Sequence, residues 1–138
     1  MAEALELEIV TPERLVVHDK AEEVQIPGKN GYLGILPGHA PLITELAVGE
    51  ISYKTAGSTT RLAVAWGFAE VLPEKVTILA ETCERPSEID VARAEAAKER
   101  AEQKLHSNEP DIDYDRALYS LQRAEARLDV AKKGNQGS

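Results

Sequence analysis

The sequence has few of the features that mark disulfide-linked, metal-binding or membrane-spanning proteins. It contains one cysteine, Cys83, which excludes an internal disulfide and a cysteine-ligated metal site. No apolar run approaches the ~18 to 20 residues of a membrane-spanning helix. Met1 to Val10 alternates like a strand and does not resemble a signal peptide. We therefore expect a cytoplasmic protein in which Cys83 is a small, partly buried side chain.

Aromatic residues are also scarce, at 4% of the chain, and only Trp66 and Phe68 are candidates for large aromatic core positions. The interior must therefore consist mainly of Val, Ile, Leu and Ala. The net charge of −8 disfavours attraction to nucleic acid or to an anionic bilayer. A chain of 138 residues has room for one ordinary domain, or for a small domain with an appendage.

Short runs of alternating apolar and polar residues fill the chain up to Arg85. Turn residues such as Gly49-Glu50 interrupt these runs roughly every eight residues, a spacing typical of compact antiparallel sandwiches and barrels. This pattern predicts eight to ten strands.

The stretch Gly31 to Leu42 is unusual because three glycines and two prolines are mixed with large apolar residues. It predicts a buried strand that ends in tight turns near a surface. His39, between Gly38 and Ala40, is the most site-like histidine. No Ser, Cys or metal ligand is spaced to work with it, so a turn histidine bonded to backbone or set in an interface is favoured over a catalytic base.

Beyond Pro86 the sequence becomes helical, since glycine and proline disappear apart from Pro110 and the tail. Ser87 with Asp90 resembles a capping box and predicts a first helix that ends near Leu105. A second helix, capped by Asp111 or Asp113, is predicted to end near Lys133-Gly134. We expect the two helices to pack as an antiparallel hairpin through a seam composed mostly of alanine. The predicted units are residues 1–85, residues 86–134 and a disordered tail, residues 135–138.

Three arginines of the hairpin lack an acidic residue three or four positions away: Arg100, Arg123 and Arg127. By contrast, Arg93 has Asp90 as an intrahelical partner. Arg123 and Arg127 lie one turn apart, an arrangement suited to a phosphate or to carboxylates of a partner chain. Plain solvation of these side chains is an equally good interpretation at this point.

Acidic clusters do not predict a metal site. Glu22-Glu23 and the group Asp111, Asp113 and Asp115 lack the glycine and terminal glutamate of a calcium-binding loop, so solvated loop and cap residues are favoured. No nucleophile, base and acid can be assembled from the sequence, which argues against an enzyme.

Several segments resemble one family, the epsilon subunit of bacterial rotary ATP synthases, which corresponds to the mitochondrial delta subunit. The resemblance is strongest at Gly34 to Leu42, at Gly67 to Val71 and at Val76 to Ala80, and it covers the chain to about Lys132. It implies an N-terminal ten-stranded antiparallel β-sandwich that binds the central gamma stalk and the c subunits of the rotor ring. It also implies a C-terminal two-helix domain that inhibits ATP hydrolysis by extending along gamma, where it meets the catalytic alpha and beta subunits.

A second family motif is Ile89 to Ala94, through which some bacterial members bind ATP in the folded hairpin. The positions that match the ATP-binding residues of those members are Glu84, Ile89, Asp90 and Ala94 on the adenine side, and Arg93, Arg100, Arg123 and Arg127 on the phosphate side. The residues expected at the stalk and rotor interface are Tyr32, Gly34, Pro37, Gly38 and His39. Tyr32 departs from the family, in which several relatives carry an acid at this turn.

The resemblance therefore implies a non-catalytic subunit of the central stalk in proton-driven ATP synthesis. Its expected location is the cytoplasmic face of the bacterial cell membrane, as a peripheral part of the complex. No cofactor is expected beyond ATP as a regulatory ligand. The alternative is a stand-alone nucleotide-sensing regulatory module.

Overall fold

Residues 4–134 are described by the structure, a computed structural model, and form seven β-strands followed by two α-helices. The strands are β1 (Leu5–Val10), β2 (Leu15–Ala21), β3 (Glu23–Gly28), β4 (Gly31–Ile35), β5 (Leu42–Thr55), β6 (Ser58–Val71) and β7 (Lys75–Glu84). A short 3-10 turn, Pro86–Glu88, leads to α1 (Val91–Leu105) and then α2 (Tyr114–Lys133). The predicted disordered tail, residues 135–138, lies outside the described residues.

The seven strands form one hydrogen-bonded sheet in the order β2-β1-β7-β6-β5-β3-β4. Neighbouring strands are antiparallel except β1 and β7, which run parallel. The expectation of ten antiparallel strands is therefore wrong for the described residues, in strand number and in the direction of one pair. One cause is the length of β5, which has 14 residues and continues through the predicted break at Gly49-Glu50.

Gly49 shows why the predicted break at Gly49-Glu50 is absent. It lies inside β5 opposite Val64 of β6. A Cβ atom at this position would come within 2.5 Å of the Tyr32 hydroxyl oxygen and 2.9 Å of Pro27 Cβ. The glycine therefore permits a close approach between strands and does not mark a turn.

The sheet folds over itself into a sandwich with one core. Strands β2 and β4 lie at opposite ends of the sheet order, yet Val17 and Ile35 belong to the same buried cluster. The largest fully buried side chains are Leu5, Leu7, Ile9, Ile26, Ile35, Ile51, Leu62, Ile78, Val24, Val64, Val71 and Val76. This composition confirms the predicted aliphatic interior, and none of the cluster members is helical.

Both large aromatic residues lie outside that core, contrary to prediction. Phe68 is 53% exposed, and Trp66 is only partly buried. The reason is a bend in β6, where Trp66 has a φ of 54° and Gly67 a φ of 127°. Pairing with β5 and β7 is interrupted at Trp66 and resumes in the same register. Two consecutive left-handed residues redirect the strand, so Trp66 reaches α2 instead of the core.

Gly31 to Leu42 contains an edge strand, not the predicted buried one. Strand β4 ends the sheet order and only its last residue, Ile35, is fully buried. The turn after it is tightly specified, as expected: Gly38 has a φ of 90°, and its N–H donates to the Pro73 carbonyl at 2.7 Å.

The helical hairpin forms largely as predicted. Its helices are antiparallel, because Val91 and Ala131 line a groove at one end, whereas Lys104 and Arg116 line a cavity at the other. Asp113 caps α2, but the N-cap of α1 is Asp90 and not Ser87, which lies in the preceding 3-10 turn. The buried helical residues are Ala94, Ala101, Ala117, Ala124 and Val130, which confirms the alanine-rich seam.

Helix α2 packs the hairpin onto β5 and β6. Val130 is fully buried in a small second core with Ala63 and Ile89. Lys133 Nζ lies 3.4 Å from Glu50 Oε1, so the end of the helix is also tied to β5. Neither helix within residues 4–134 is long and apolar enough to span a membrane.

Gly67 is predicted to be essential for the sandwich. A Cβ at this position would collide with the Leu79 carbonyl oxygen, and its φ of 127° is strained for any other residue. We expect Gly67→Ala to lower the free energy of unfolding by roughly 2 to 4 kcal/mol, measured by urea denaturation.

Gly34→Ala is the matched control, because a Cβ there meets nothing within 4 Å. It should change the free energy of unfolding by less than about 0.5 kcal/mol. Equal stability of the two variants would show that the bend at Gly67 relaxes at no cost.

Candidate functional site

A cleft of about 380 Å³ lies where the hairpin meets the end of β7. It is lined by Glu84, Glu88, Asp90, Arg93, Ala94, Ala97, Arg100, Ser120, Arg123 and Arg127. Seven of the eight residues predicted to bind ATP are in this lining, although they come from four separate stretches of sequence. The exception is Ile89, which is buried against Ala63 and Val130.

Helix geometry brings the four arginines together. Arg93 and Arg100 are seven residues apart on α1, and Arg123 and Arg127 are four apart on α2, so each pair shares one helix face. Antiparallel packing then turns both faces toward the same cleft. Guanidinium groups from two helices can thus surround one multiply charged anion.

Arg127 is already paired. Its Nε lies 2.5 Å from Oε1 of Glu84, and both side chains are about one-third exposed, at 32% and 31%. This ion pair could not be predicted from the sequence, because the partners are 43 residues apart. An incoming anion therefore competes with Glu84 for Arg127.

Arg123 is held in a different way. Its Nη2 donates a hydrogen bond to Ser120 Oγ at 3.1 Å. Its Cζ lies over the ring of Trp66, 5.1 Å from the centroid. Trp66 in turn meets the ring of Tyr119 edge-on, with centroids 5.6 Å apart.

Arg93 and Arg100 remain available for a ligand. Among residues 4–134 their guanidinium groups have no hydrogen bond or ion pair. The expected ion pair between Arg93 and Asp90 is not formed, because Asp90 Oδ1 instead accepts the backbone N–H of Arg93 at 3.1 Å as the helix cap.

The remaining carboxylate of the cleft, Glu88, is also engaged. It accepts the backbone N–H of Arg85 at 2.9 Å and pairs with Arg14 at 2.5 Å. The pKa of Glu88 is lowered, chiefly by the hydrogen bond from Arg85 and further by Arg14. All three carboxylates thus have partners, whereas the guanidinium groups of Arg93 and Arg100 have none in the described part of the chain, so the charge of the cleft favours an anion.

Sequence reasoning missed three residues of the lining: Glu88, Ala97 and Ser120. Helical spacing could have predicted two of them. Ala97 lies three residues before Arg100, and Ser120 lies three residues before Arg123, so both share the face of a predicted arginine.

The second predicted site is the exposed turn around His39. Its Nδ1 lies 2.6 Å from the carbonyl oxygen of Ala40, and its backbone N–H donates to Leu36 at 3.1 Å. This agrees with a backbone-bonded turn histidine. Tyr32 is 61% exposed, and its hydroxyl accepts the Glu50 N–H at 2.9 Å. The same surface includes Gly34, Pro37 and Gly38. Backbone hydrogen bonds fix the conformation of its turn.

The sheet also exposes several large apolar side chains, three of which lie on β5, β6 and β7. Phe68 pairs with Leu79 across β6 and β7, and these residues are 53% and 56% exposed. Ile43 on β5 is 72% exposed. Phe68 and Leu79 line a groove of about 550 Å³. Apolar side chains grouped in this way are typical of a protein interface.

A third cluster consists of Glu6, Glu8 and His18, whose ligand atoms lie within 4.8 Å of one another. Lys75 Nζ approaches Glu6 and Glu8 at 3.4 and 3.9 Å. The positive charge of Lys75 offsets part of the negative charge of the two carboxylates, so we interpret this group as an exposed ion-pair cluster.

The cleft contains no histidine or cysteine. Cys83 is buried, at 5% exposed, and burial raises the pKa of its thiol to about 12. It is therefore more buried than the sequence suggested, and at neutral pH it is not a thiolate nucleophile. Within residues 4–134, the structure is a sandwich with a docked hairpin and a cleft lined by four arginines, an arrangement suited to binding an anion.

Comparisons with known proteins identify the family of this chain. The family model for the β-sandwich domain of ATP synthase delta/epsilon chains matches residues 4–86, and that for their long α-helix domain matches residues 87–132. The chain is 71% identical over 111 residues to the ATP synthase epsilon chain of Koribacter versatilis, covering 80% of this chain and 78% of that one. It is 47% identical over 133 residues to the epsilon chain of Syntrophobacter fumaroxidans, covering 96% and 99%.

A chain in the cryo-EM structure of the Euglena gracilis mitochondrial ATP synthase has a similar fold, with a TM-score of 0.82 at 21% identity, covering 96% of this chain and 83% of that one. The chain described here belongs to the ATP synthase delta/epsilon family. The predicted resemblance is thereby confirmed, and with it the expectation of a non-catalytic accessory subunit.

Proposed function

We propose that this chain is a subunit of the central stalk of a bacterial F-type ATP synthase, at the cytoplasmic face of the cell membrane. There its sandwich links gamma to the c subunits of the rotor ring during proton-driven ATP synthesis. Its hairpin inhibits ATP hydrolysis when extended and is held folded by bound ATP. The observation that carries this proposal is the arginine-lined cleft, which exists only when both helices are folded and docked.

The interface part of the proposal rests on two surfaces of the sandwich. One is the backbone-bonded turn with Tyr32, Gly34, Pro37, Gly38 and His39. The other is the exposed apolar group formed by Ile43, Phe68 and Leu79. A stable subunit interface needs an apolar centre surrounded by polar groups, and these surfaces supply both for gamma and the c subunits.

His39→Ala is expected to weaken association with a gamma and c-ring assembly by roughly three- to tenfold, measured by surface binding. Stability should not change, because within residues 4–134 the one hydrogen-bond partner of the imidazole is the neighbouring Ala40 carbonyl. His106→Ala is the matched control, since that imidazole also bonds a backbone carbonyl but lies on the hairpin. An unfolded His39 variant that still binds would contradict the interface assignment.

The regulatory part rests on the weak attachment of the hairpin. The seam between the helices buries mostly alanine methyl groups, and the sandwich has a complete core without any helical residue. At about 0.8 kcal/mol per buried methylene, this seam yields little stabilisation. The hairpin is thus suited to exchange between a docked state and an extended state that contacts gamma and the catalytic alpha and beta subunits.

Hydrolysis by an ATP synthase core that lacks this chain tests the brake directly. The full chain should lower the rate, whereas a chain that ends at Arg85 should bind the core, unfold cooperatively on heating and leave the rate unchanged. A second truncation after Ile89 retains the Arg14–Glu88 ion pair and controls for its loss. Equal inhibition by the full and truncated chains would remove the hairpin from the mechanism.

The ATP-binding part rests on the charge of the cleft. Arg93 and Arg100 have no partner within residues 4–134, and a triphosphate would supply the missing negative charge. ATP is a regulatory ligand here, not a required cofactor. Its effect on inhibition follows from its preference for the folded hairpin.

Titration calorimetry should detect ATP binding to the purified chain, and Arg100→Ala should weaken it by roughly 1.5 to 3 kcal/mol through loss of charge-assisted hydrogen bonds. Lys98→Ala is the matched control, because this cation lies on the same helix but faces another groove. Equal binding by both variants would show that α1 does not contact the phosphates.

A stand-alone nucleotide-sensing module is the second candidate, and the same cleft favours it. The hydrolysis assay distinguishes the two candidate functions. A chain that binds ATP but has no effect on the core complex supports the module.

A further inference from the structure

Trp66 is the one tryptophan of the chain, and it lies outside the lining of the arginine cleft. The left-handed bend of β6 places its ring against α2. There it contacts the side chains of two helical residues. Arg123 Cζ lies 5.1 Å from the ring centroid, and the Tyr119 ring meets it edge-on at an interplanar angle of 85°.

The contact with Arg123 restrains the guanidinium without occupying its donors. A cation over an aromatic face is attracted by the ring electrons, while the N–H groups stay in the guanidinium plane. One of these, on Nη2, donates to Ser120. The other donors have no partner among residues 4–134 and can meet oxygen acceptors in the cleft. Arg127 differs, because a carboxylate occupies its Nε.

We propose that Trp66 is a positioning residue for nucleotide binding: its ring holds Arg123 in the orientation that meets the phosphates. This inference rests on the proposed ATP binding and adds a residue of the sandwich that does not touch the ligand. The phosphate site is then complete only while α2 is docked on β6. ATP binding therefore depends on docking of the hairpin on the sandwich, and not only on the folding of the hairpin itself.

Thermodynamic linkage gives this arrangement a regulatory meaning. If docking orders Arg123 and so strengthens ATP binding, bound ATP must strengthen docking by the same factor. Tyr119 supports the effect, since its edge contact fixes the ring that Arg123 uses.

The test compares Trp66→Leu with Trp66→Phe in the full chain by ATP titration calorimetry. Both replacements have an unbranched Cβ, so the backbone strain at φ 54° is similar, but only Phe retains an aromatic face. We expect Trp66→Leu to weaken binding roughly three- to tenfold and Trp66→Phe by less than about threefold. Tyr114→Leu, an aromatic loss at the first residue of α2 and outside the lining of the cleft, should bind as the parent does.

A double-mutant cycle separates positioning from a general effect on the fold. In the Arg123→Ala background, Trp66→Leu should cause no further loss of affinity. The same loss in both backgrounds, or an unaltered affinity of Trp66→Leu, would overturn the proposal. A parent chain that binds no ATP would overturn the proposed ATP binding as well, so the two failures are distinguishable.

Tryptophan fluorescence covers the case in which Trp66→Leu fails to fold. Saturating ATP should change the emission of the parent and of Arg100→Ala, because Arg123 remains over the ring in both. It should leave Arg123→Ala unchanged. An equal response from Arg123→Ala would show that the phosphates do not act on Trp66 through this arginine.

Discussion

Docking of α2 on β5 and β6 is the constraint on which both the hairpin and its cleft depend. The seam between the helices is made of alanine, and helices of this length are marginal without tertiary contacts. The core of the sandwich contains no helical residue, so we expect the sandwich to be stable without the helices. Val130 supplies the apolar part of docking, in a cluster with Ala63 and Ile89. The rest comes largely from polar contacts, and some of these, such as the Arg127–Glu84 ion pair, also shape the cleft.

Those polar contacts are individually weak, which suits a reversible attachment. The Arg127–Glu84 pair is about one-third exposed on each side, and pairs of this kind contribute about 0 to 1 kcal/mol. The contact between Arg123 and Trp66 adds about 0.5 to 2 kcal/mol by analogy with other cation–aromatic pairs. A ligand that adds a few kcal/mol to one state can then reverse the populations of the two states. A leucine-rich seam would have made the same change much harder.

Local patterns predicted the elements well, and long-range contacts account for what they missed. Alternation located the strands, and Asp113, the alanine periodicity and Gly134 located the second helix. The strand count failed at Gly49, because a glycine needed for the approach of Tyr32 has the same appearance in sequence as a turn glycine. Helical spacing and family motifs predicted most of the residues that line the cleft. The role of these residues in ATP binding stays a prediction. The partners that hold two of them, Glu84 for Arg127 and Trp66 for Arg123, lie on β7 and β6, where no sequence period links them to a helix.

The placement of charge explains how ATP would distinguish the two states of the hairpin. Glu84 neutralises Arg127 in the docked state, so ligand binding at that arginine exchanges one carboxylate for another anion and gains little. Arg93 and Arg100 have no such internal counter-ion within residues 4–134, and they face Arg123 only when α1 is folded back on α2. In the proposed extended state the two helices would separate, and their arginines would no longer surround a common space. The proposed preference of ATP for the folded state would therefore originate in the α1 arginines, while the contacts of α2 with Glu84 and Trp66 would determine whether that folded state is also docked on the sandwich.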